Sequence, residues 1–146
     1  MKHTRALPLL CPATAVILAL LPYGAVLNFG QPDGEPIRQT FSYFSLTPFG
    51  YANFWPLITA VLSCLLLILA IAAVIRPCIR LYRIGGNLSA VTALISIGSW
   101  VMFGFSYFSP VGGGITLALV LHTALMALLL RRAKRCHSRI DRADIS

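Results

Sequence analysis

Charge is the scarcest property of this chain. Four Asp and Glu and twelve Lys and Arg make up 11% of 146 residues, against about 25% in an average soluble domain. So few ions cannot cover a water-facing surface, which argues against a free-standing soluble domain. Cysteine is also sparse. Cys11, Cys64, Cys78 and Cys136 form no C-x-x-C pair, so the dithiol and zinc signatures are missing. No catalytic or cofactor motif is present, and the chain is expected to be neither an enzyme nor a cofactor carrier.

What the chain has instead is apolar length: 58% of it is hydrophobic. Four runs, at about 7–27, 56–75, 84–104 and 111–130, contain no Asp, Glu, Lys or Arg. Each is about the 20 residues that cross a hydrocarbon core, and an uncharged run of that length satisfies its backbone internally as a helix. The expected fold is an all-α integral membrane bundle of four transmembrane helices in one domain. An outer loop covers 28–55 and a basic tail 131–146. Pro56 sits near the start of the second helix, Pro77 stops it, and Ser109-Pro110 offers the fourth an N-cap and a first-turn proline. Gly85-Gly86 and Gly112-Gly113-Gly114 are poor helix formers and would delay the third and fourth helices. The first run exceeds the apolar segment of a signal peptide and no A-x-A-like site follows it, so it is expected to stay as a helix.

Eleven of the twelve basic residues fall on one side of these spans, Arg38 being the exception. The positive-inside rule makes that side cytoplasmic, with both termini in the cytoplasm of a cell with a plasma membrane. The tail residues Arg131, Arg132, Lys134 and Arg135 are expected to hold anionic lipid headgroups, at about 1 kcal/mol per charge; nucleic acid is not expected. Cys78 and Cys136 lie beside this basic surface.

Aromatic residues mark the opposite side. Of fifteen, seven lie between Phe41 and Trp55 and five between Trp100 and Phe108. Rings favour the headgroup boundary, but so many on one side also suit a binding surface. Tyr43, Phe44, Phe49, Tyr51 and Trp55 are the candidate contacts for a membrane-protein partner or a second copy of the chain. The front of the same loop, Gln31 to Pro36, is turn-rich and acidic and should be solvated; from Phe41 on it should lie along the interface. Phe-Ser-Tyr-Phe-Ser occurs at 41–45 and again at 105–109, which fits two tandem helical hairpins.

His122 is the one ionisable group deep in a span, nine positions before Arg131. It is expected to be neutral and hydrogen-bonded to a neighbouring helix. Ser89, Thr92, Ala93, Ser96 and Ser99 form a small, weakly polar stripe on the third helix, the usual surface for close helix packing in lipid.

The stretch Phe-Ser-Tyr-Phe-Ser-Leu-Thr-Pro-Phe-Gly-Tyr-Ala-Asn-Phe-Trp-Pro-Leu-Ile-Thr-Ala, 41–60, resembles a segment of small, uncharacterised four-span integral membrane proteins of Gram-positive gut bacteria. The resemblance implies a bacterial plasma membrane and supplies no activity. The expected function is therefore an accessory, regulatory or scaffold subunit that binds a partner through its outer aromatic loop. A small oligomeric transporter or channel is the alternative.

Overall fold

The computed structural model describes residues 3–31, 34–51 and 53–143, and within these the side chains other than those of 3–6, 35, 99, 105, 134 and 136–143. Four long helices form a ring: α1 (His3–Leu20), α3 (Trp55–Ile75), α4 (Ile79–Phe103) and α5 (Pro110–Ala143). A two-stranded antiparallel sheet, β1 (Ala25–Gln31) and β2 (Gly34–Phe41), and the short helix α2 (Leu46–Gly50) cap one end. Helix α1 packs on α5 and α3, and α4 packs on the same two. Neighbours run antiparallel. Trp55, opening α3, lies against Gly98 late in α4; Leu18, closing α1, lies against Gly114 early in α5; Gly85 and Gly86 meet Met126.

Local chemistry sets most boundaries. Pro56 occupies the first turn of α3, whose last residue precedes Arg76-Pro77. Ser109 Oγ accepts from the Gly112 N–H at 2.9 Å, capping α5 just ahead of Pro110. Three boundaries differ from the sequence expectation. Helix α1 stops at Leu20, not at 27, because Pro22 disfavours helical backbone in the residue before it; Ala25, Val26 and Leu27 then enter β1, buried. Helix α4 starts at Ile79 and runs through Gly85-Gly86, whose missing side chains leave room for Met126. Helix α5 starts at Pro110 despite Gly112-Gly113-Gly114 and continues past 130 to Ala143, carrying the basic residues up to Arg142 as helix.

The fold is mostly helical, and three helices, α3, α4 and the Pro110–Ala133 part of α5, are long and apolar enough to cross a membrane. The apolar part of α1, Leu7–Leu20, is shorter. Burial is inverted relative to a water-soluble bundle, where large aliphatics fill the inside. Leu10, Ile68, Leu94 and Leu117 are each more than 60% exposed, while Ala15, Ala60, Ser63, Ser89, Thr92 and Ser96 are at 1% or less. Small residues let helix backbones approach closely, which is how helices associate where the surroundings are as apolar as leucine. Most inner hydroxyls bond across or along the helices, while Thr59 Oγ1 has no partner among the described residues. Ser89 Oγ donates to the Leu119 carbonyl at 3.0 Å, and Thr123 Oγ1 lies 3.0 Å from Ser89 Oγ and 2.9 Å from the same carbonyl.

The two pentapeptides take different shapes. The first ends β2 and leads to Ser45, which caps α2; the second holds the 3-10 turn Phe105–Tyr107 and the Ser109 cap of α5.

Two glycines test this packing. A Cβ at Gly85 would meet Met126 at an ordinary 3.6 Å, whereas one at Gly112 would lie 2.8 Å from Tyr43 Oη and 3.0 Å from Ser109 Oγ. In thermal unfolding in mild detergent, Gly85→Ala should stabilise by up to about 1 kcal/mol through helix propensity. Gly112→Ala should destabilise by about 1–3 kcal/mol through overpacking.

Candidate functional site at the capped end of the bundle

The hairpin is built from β-forming residues. Val26-Leu27-Asn28-Phe29 and Ile37-Arg38-Gln39-Thr40-Phe41 flank Pro32-Asp33-Gly34, a turn-forming tripeptide between two apolar runs. Ala25 pairs with Phe41, Leu27 with Gln39, Phe29 with Ile37 and Gln31 with Gly34, with an irregularity between Phe29 and Gln31. Pro32 and Asp33, expected in a solvated loop, lie outside the described residues. Arg38 Nη2 donates to the Phe108 carbonyl at 2.8 Å, which fastens β2 to the connection between α4 and α5.

Beyond the hairpin, Tyr43 drops into the bundle. Its backbone N–H donates to the Ala19 carbonyl at the end of α1, 3.0 Å away. Its ring fills the space that a Cβ on Gly24 would need, 2.7 Å from Cδ1, and its hydroxyl bonds to Ser96 on α4. Ser96 Oγ lies 2.6 Å from Thr116 Oγ1, which donates to the Gly112 carbonyl at 3.1 Å. Either hydroxyl of the Ser96 and Thr116 pair can be the donor, and the bonded chain links Tyr43, Ser96, Thr116 and Gly112. Burial pushes the Tyr43 phenol up to about 12, more than its bond to Ser96 draws it down, so it stays neutral. Ser109 Oγ closes the seat by donating to the Gly24 carbonyl at 2.5 Å.

This placement corrects the expected partner surface. Tyr43 is 3% exposed and cannot meet a partner; it holds the cap down. Phe44 is half-buried against the core, and Trp55 is half-buried over Gly98. Phe49 and Tyr51 remain exposed, at 43% and 61%, as do Leu46 and Phe54 beside them in sequence. Edge-on ring pairs stiffen the patch: Phe49 with Phe54 at 4.7 Å between centroids and Phe29 with Tyr51 at 5.2 Å.

Beneath the hairpin is a pocket of about 260 Å³ walled by Leu27, Phe29, Tyr51, Asn53, Phe103 and Tyr107. Asn53 is 5% exposed, and its Oδ1 has no hydrogen-bond partner among the described residues. Sequence reasoning passed over Asn53. Its only signal was an amide inside the apolar run from Phe49 to Trp55.

The intramembrane candidates divide. Ser96 is buried and bonded as described. His122 is fully buried, but neither ring nitrogen has a partner among the described residues, so the expected bond to a neighbouring helix is not made there. Arg131, Arg132 and Arg135 are exposed on the far end of α5; the side chains of Lys134 and Cys136 lie outside the described part. No group of three or more His, Cys, Asp or Glu that could hold a metal occurs among the described residues.

No protein-family model, curated protein or solved structure matches this chain.

Two outcomes follow from the geometry. Tyr43→Ser should destabilise by about 3 kcal/mol or more, the usual scale for emptying an aromatic site, while Phe49→Ser with Tyr51→Ser should leave the unfolding midpoint almost unchanged. His122→Leu should leave stability unchanged or raise it by about 1–3 kcal/mol, because it deletes buried polar atoms that are unsatisfied; a loss of that size in the same unfolding assay would mean that the imidazole has a partner.

Proposed function

We propose that the chain is a multi-pass integral protein of the bacterial plasma membrane, with all four long helices crossing the bilayer and both termini in the cytoplasm. It acts as a non-enzymatic accessory or scaffold subunit that engages a membrane-protein partner through the aromatic cap. The observation that carries this reading is the set of exposed apolar side chains Leu46, Phe49, Tyr51 and Phe54 on a cap pinned to the bundle by Tyr43. Exposed aromatics on a rigid base lose little entropy when a partner covers them, and Tyr is a frequent hot-spot residue.

The four-span topology is supported by how α1 packs. Its apolar part, Leu7–Leu20, is shorter than a full span, so its place in the bilayer rests on its neighbours. It lies between α3 and α5 with Leu10, Ile17 and Leu20 exposed, so burying its neighbours in lipid buries it too. The orientation is supported by the basic residues at the end opposite the cap. The unpartnered Thr59 Oγ1 and His122 nitrogens favour the second reading, a small oligomeric transporter.

Thiol labelling tests the topology. Cys78 should react with a membrane-impermeant reagent only after cells are opened, and a cysteine placed at Gln39 should react in intact cells; the reverse pattern overturns the orientation. Purification in mild detergent tests the partner. A co-purifying membrane protein should be lost from the Phe49→Ser, Tyr51→Ser variant, and its retention removes the cap from the interface. Loss of a transport phenotype in a folded His122→Gln variant would favour the second reading.

A further inference from the structure

At the end opposite the cap, the outer surface between α4 and α5 carries a groove. Tyr82, Arg83, Asn87 and Ala90 line it from α4, and Met126 and Ala127 from α5. The α4 positions recur every three or four residues and so share one helix face, over about 12 Å of axis at 1.5 Å per residue. The volume is about 160 Å³, below the roughly 300–1,000 Å³ that encloses a drug-sized ligand. An occupant is therefore seated by one part, with the rest of it outside the groove. The surroundings there are apolar: α4 exposes Ile84, Val91 and Leu94, and α5 exposes Leu121 and Leu128. Against this background the groove is polar at its mouth. Arg83 and Tyr82 lie near the start of α4, Asn87 is about 6 Å farther along, and Ala90, Met126 and Ala127 supply an apolar wall. No Asp or Glu occurs between positions 36 and 140, while Arg76, Arg80, Arg83, Arg131 and Arg132 gather at this end. The side chains of Arg83 and Asn87 have no hydrogen bond or ion pair among the described residues. A guanidinium and an amide on the apolar outside of a bundle are costly until acceptors reach them.

We propose that this groove seats one anionic glycerophospholipid of the adjoining leaflet. Arg83 holds the phosphate, because a guanidinium donates to two phosphate oxygens at once, and the Tyr82 hydroxyl is a further donor at that level. The Asn87 amide, one turn deeper, donates to an ester carbonyl, and the top of an acyl chain lies on Ala90, Met126 and Ala127. A basic pocket between membrane helices is a common form of headgroup site. A free phosphate would satisfy Arg83 but leave Asn87 and the apolar wall unused. The exposed arginines of the tail differ from this site, since they attract headgroups by charge alone. The site rests on the reading of the long helices as membrane-spanning and is independent of a partner at the cap.

The test uses the purified full chain in mild detergent, with dioleoylphosphatidylglycerol and dioleoylphosphatidylcholine as probes and native mass spectrometry to count the lipids retained. One phosphatidylglycerol should be held per chain, about tenfold more tightly than phosphatidylcholine, whose choline already neutralises its phosphate. Arg83→Gln should erase that preference. Arg76→Gln, which removes the same charge from the same end outside the groove, should preserve it. Both arginines are exposed, so both variants keep the fold, and the comparison of lipids on the unaltered chain needs no variant. Ala90→Phe keeps every charge and fills the groove, so it should weaken phosphatidylglycerol about tenfold. Full binding in that variant means that charge alone recruits the lipid and overturns the proposal, as does an equal loss in the two arginine variants. Glycerol 3-phosphate in excess should leave the bound lipid in place, and displacement overturns the lipid as occupant in favour of a soluble phosphate ester. Flotation with phosphatidylcholine vesicles reports the membrane reading separately: a chain that floats without preferring phosphatidylglycerol loses the site and keeps that reading, and a chain that stays behind loses both.

Discussion

The seat of Tyr43 is the contact on which the capped end depends. One residue ties four segments to its own: its N–H holds α1, its ring lies against Gly24, its hydroxyl reaches α4, and through Ser96 and Thr116 the bond chain continues into α5. Two glycines make this possible, since a side chain at either Gly24 or Gly112 would collide with the phenol. A buried hydroxyl is tolerable only when bonded. Here the requirement fixes where the hairpin sits, and therefore where the exposed aromatics and the pocket beneath them are presented.

The rest of the bundle follows from a second constraint, the inverted distribution of polarity. Alanines and hydroxyl residues inside let the four helices come close around a few buried aliphatics such as Leu66, Ile115 and Leu119, while most of the other large aliphatics are exposed. Such a surface is unfavourable in water by about 25 cal/mol for each square ångström of apolar area and neutral in hydrocarbon. Three helices of membrane-crossing length agree with that environment. His122 and Thr59 mark where the logic is incomplete, because their polar atoms are buried without partners among the described residues.

The helical part of this fold was legible because long uncharged runs have few alternatives. Helix α3 matches its expected bounds within a residue, and Ser109-Pro110 starts α5 as read. The hairpin was missed, although its signal was present: Pro32-Asp33-Gly34 between Val26–Phe29 and Ile37–Phe41 is turn chemistry between β-forming runs. The hydropathy of residues 21–27 masked it, since apolar length alone does not separate the end of a helix from a buried strand. At the candidate site, Phe49 and Tyr51 were found as exposed aromatics. Tyr43 was assigned to the same surface because nothing local distinguishes a ring that faces out from one that plugs a bundle. That distinction is made by Gly24, Ser96 and Gly112, which lie 19, 53 and 69 positions away in the sequence.

The capped end therefore behaves as one unit held from below, with Ser96 as the link between cap and bundle. Hydrogen–deuterium exchange on the Ser96→Ala variant tests this most directly, because the substitution lies in α4 and touches neither strand. Losing the hydroxyl that Tyr43 bonds should speed exchange of the amides in β1 and β2 by about tenfold, while those of α3 keep their protection. Unchanged exchange in the hairpin, or an equal increase throughout the four helices, would contradict the account.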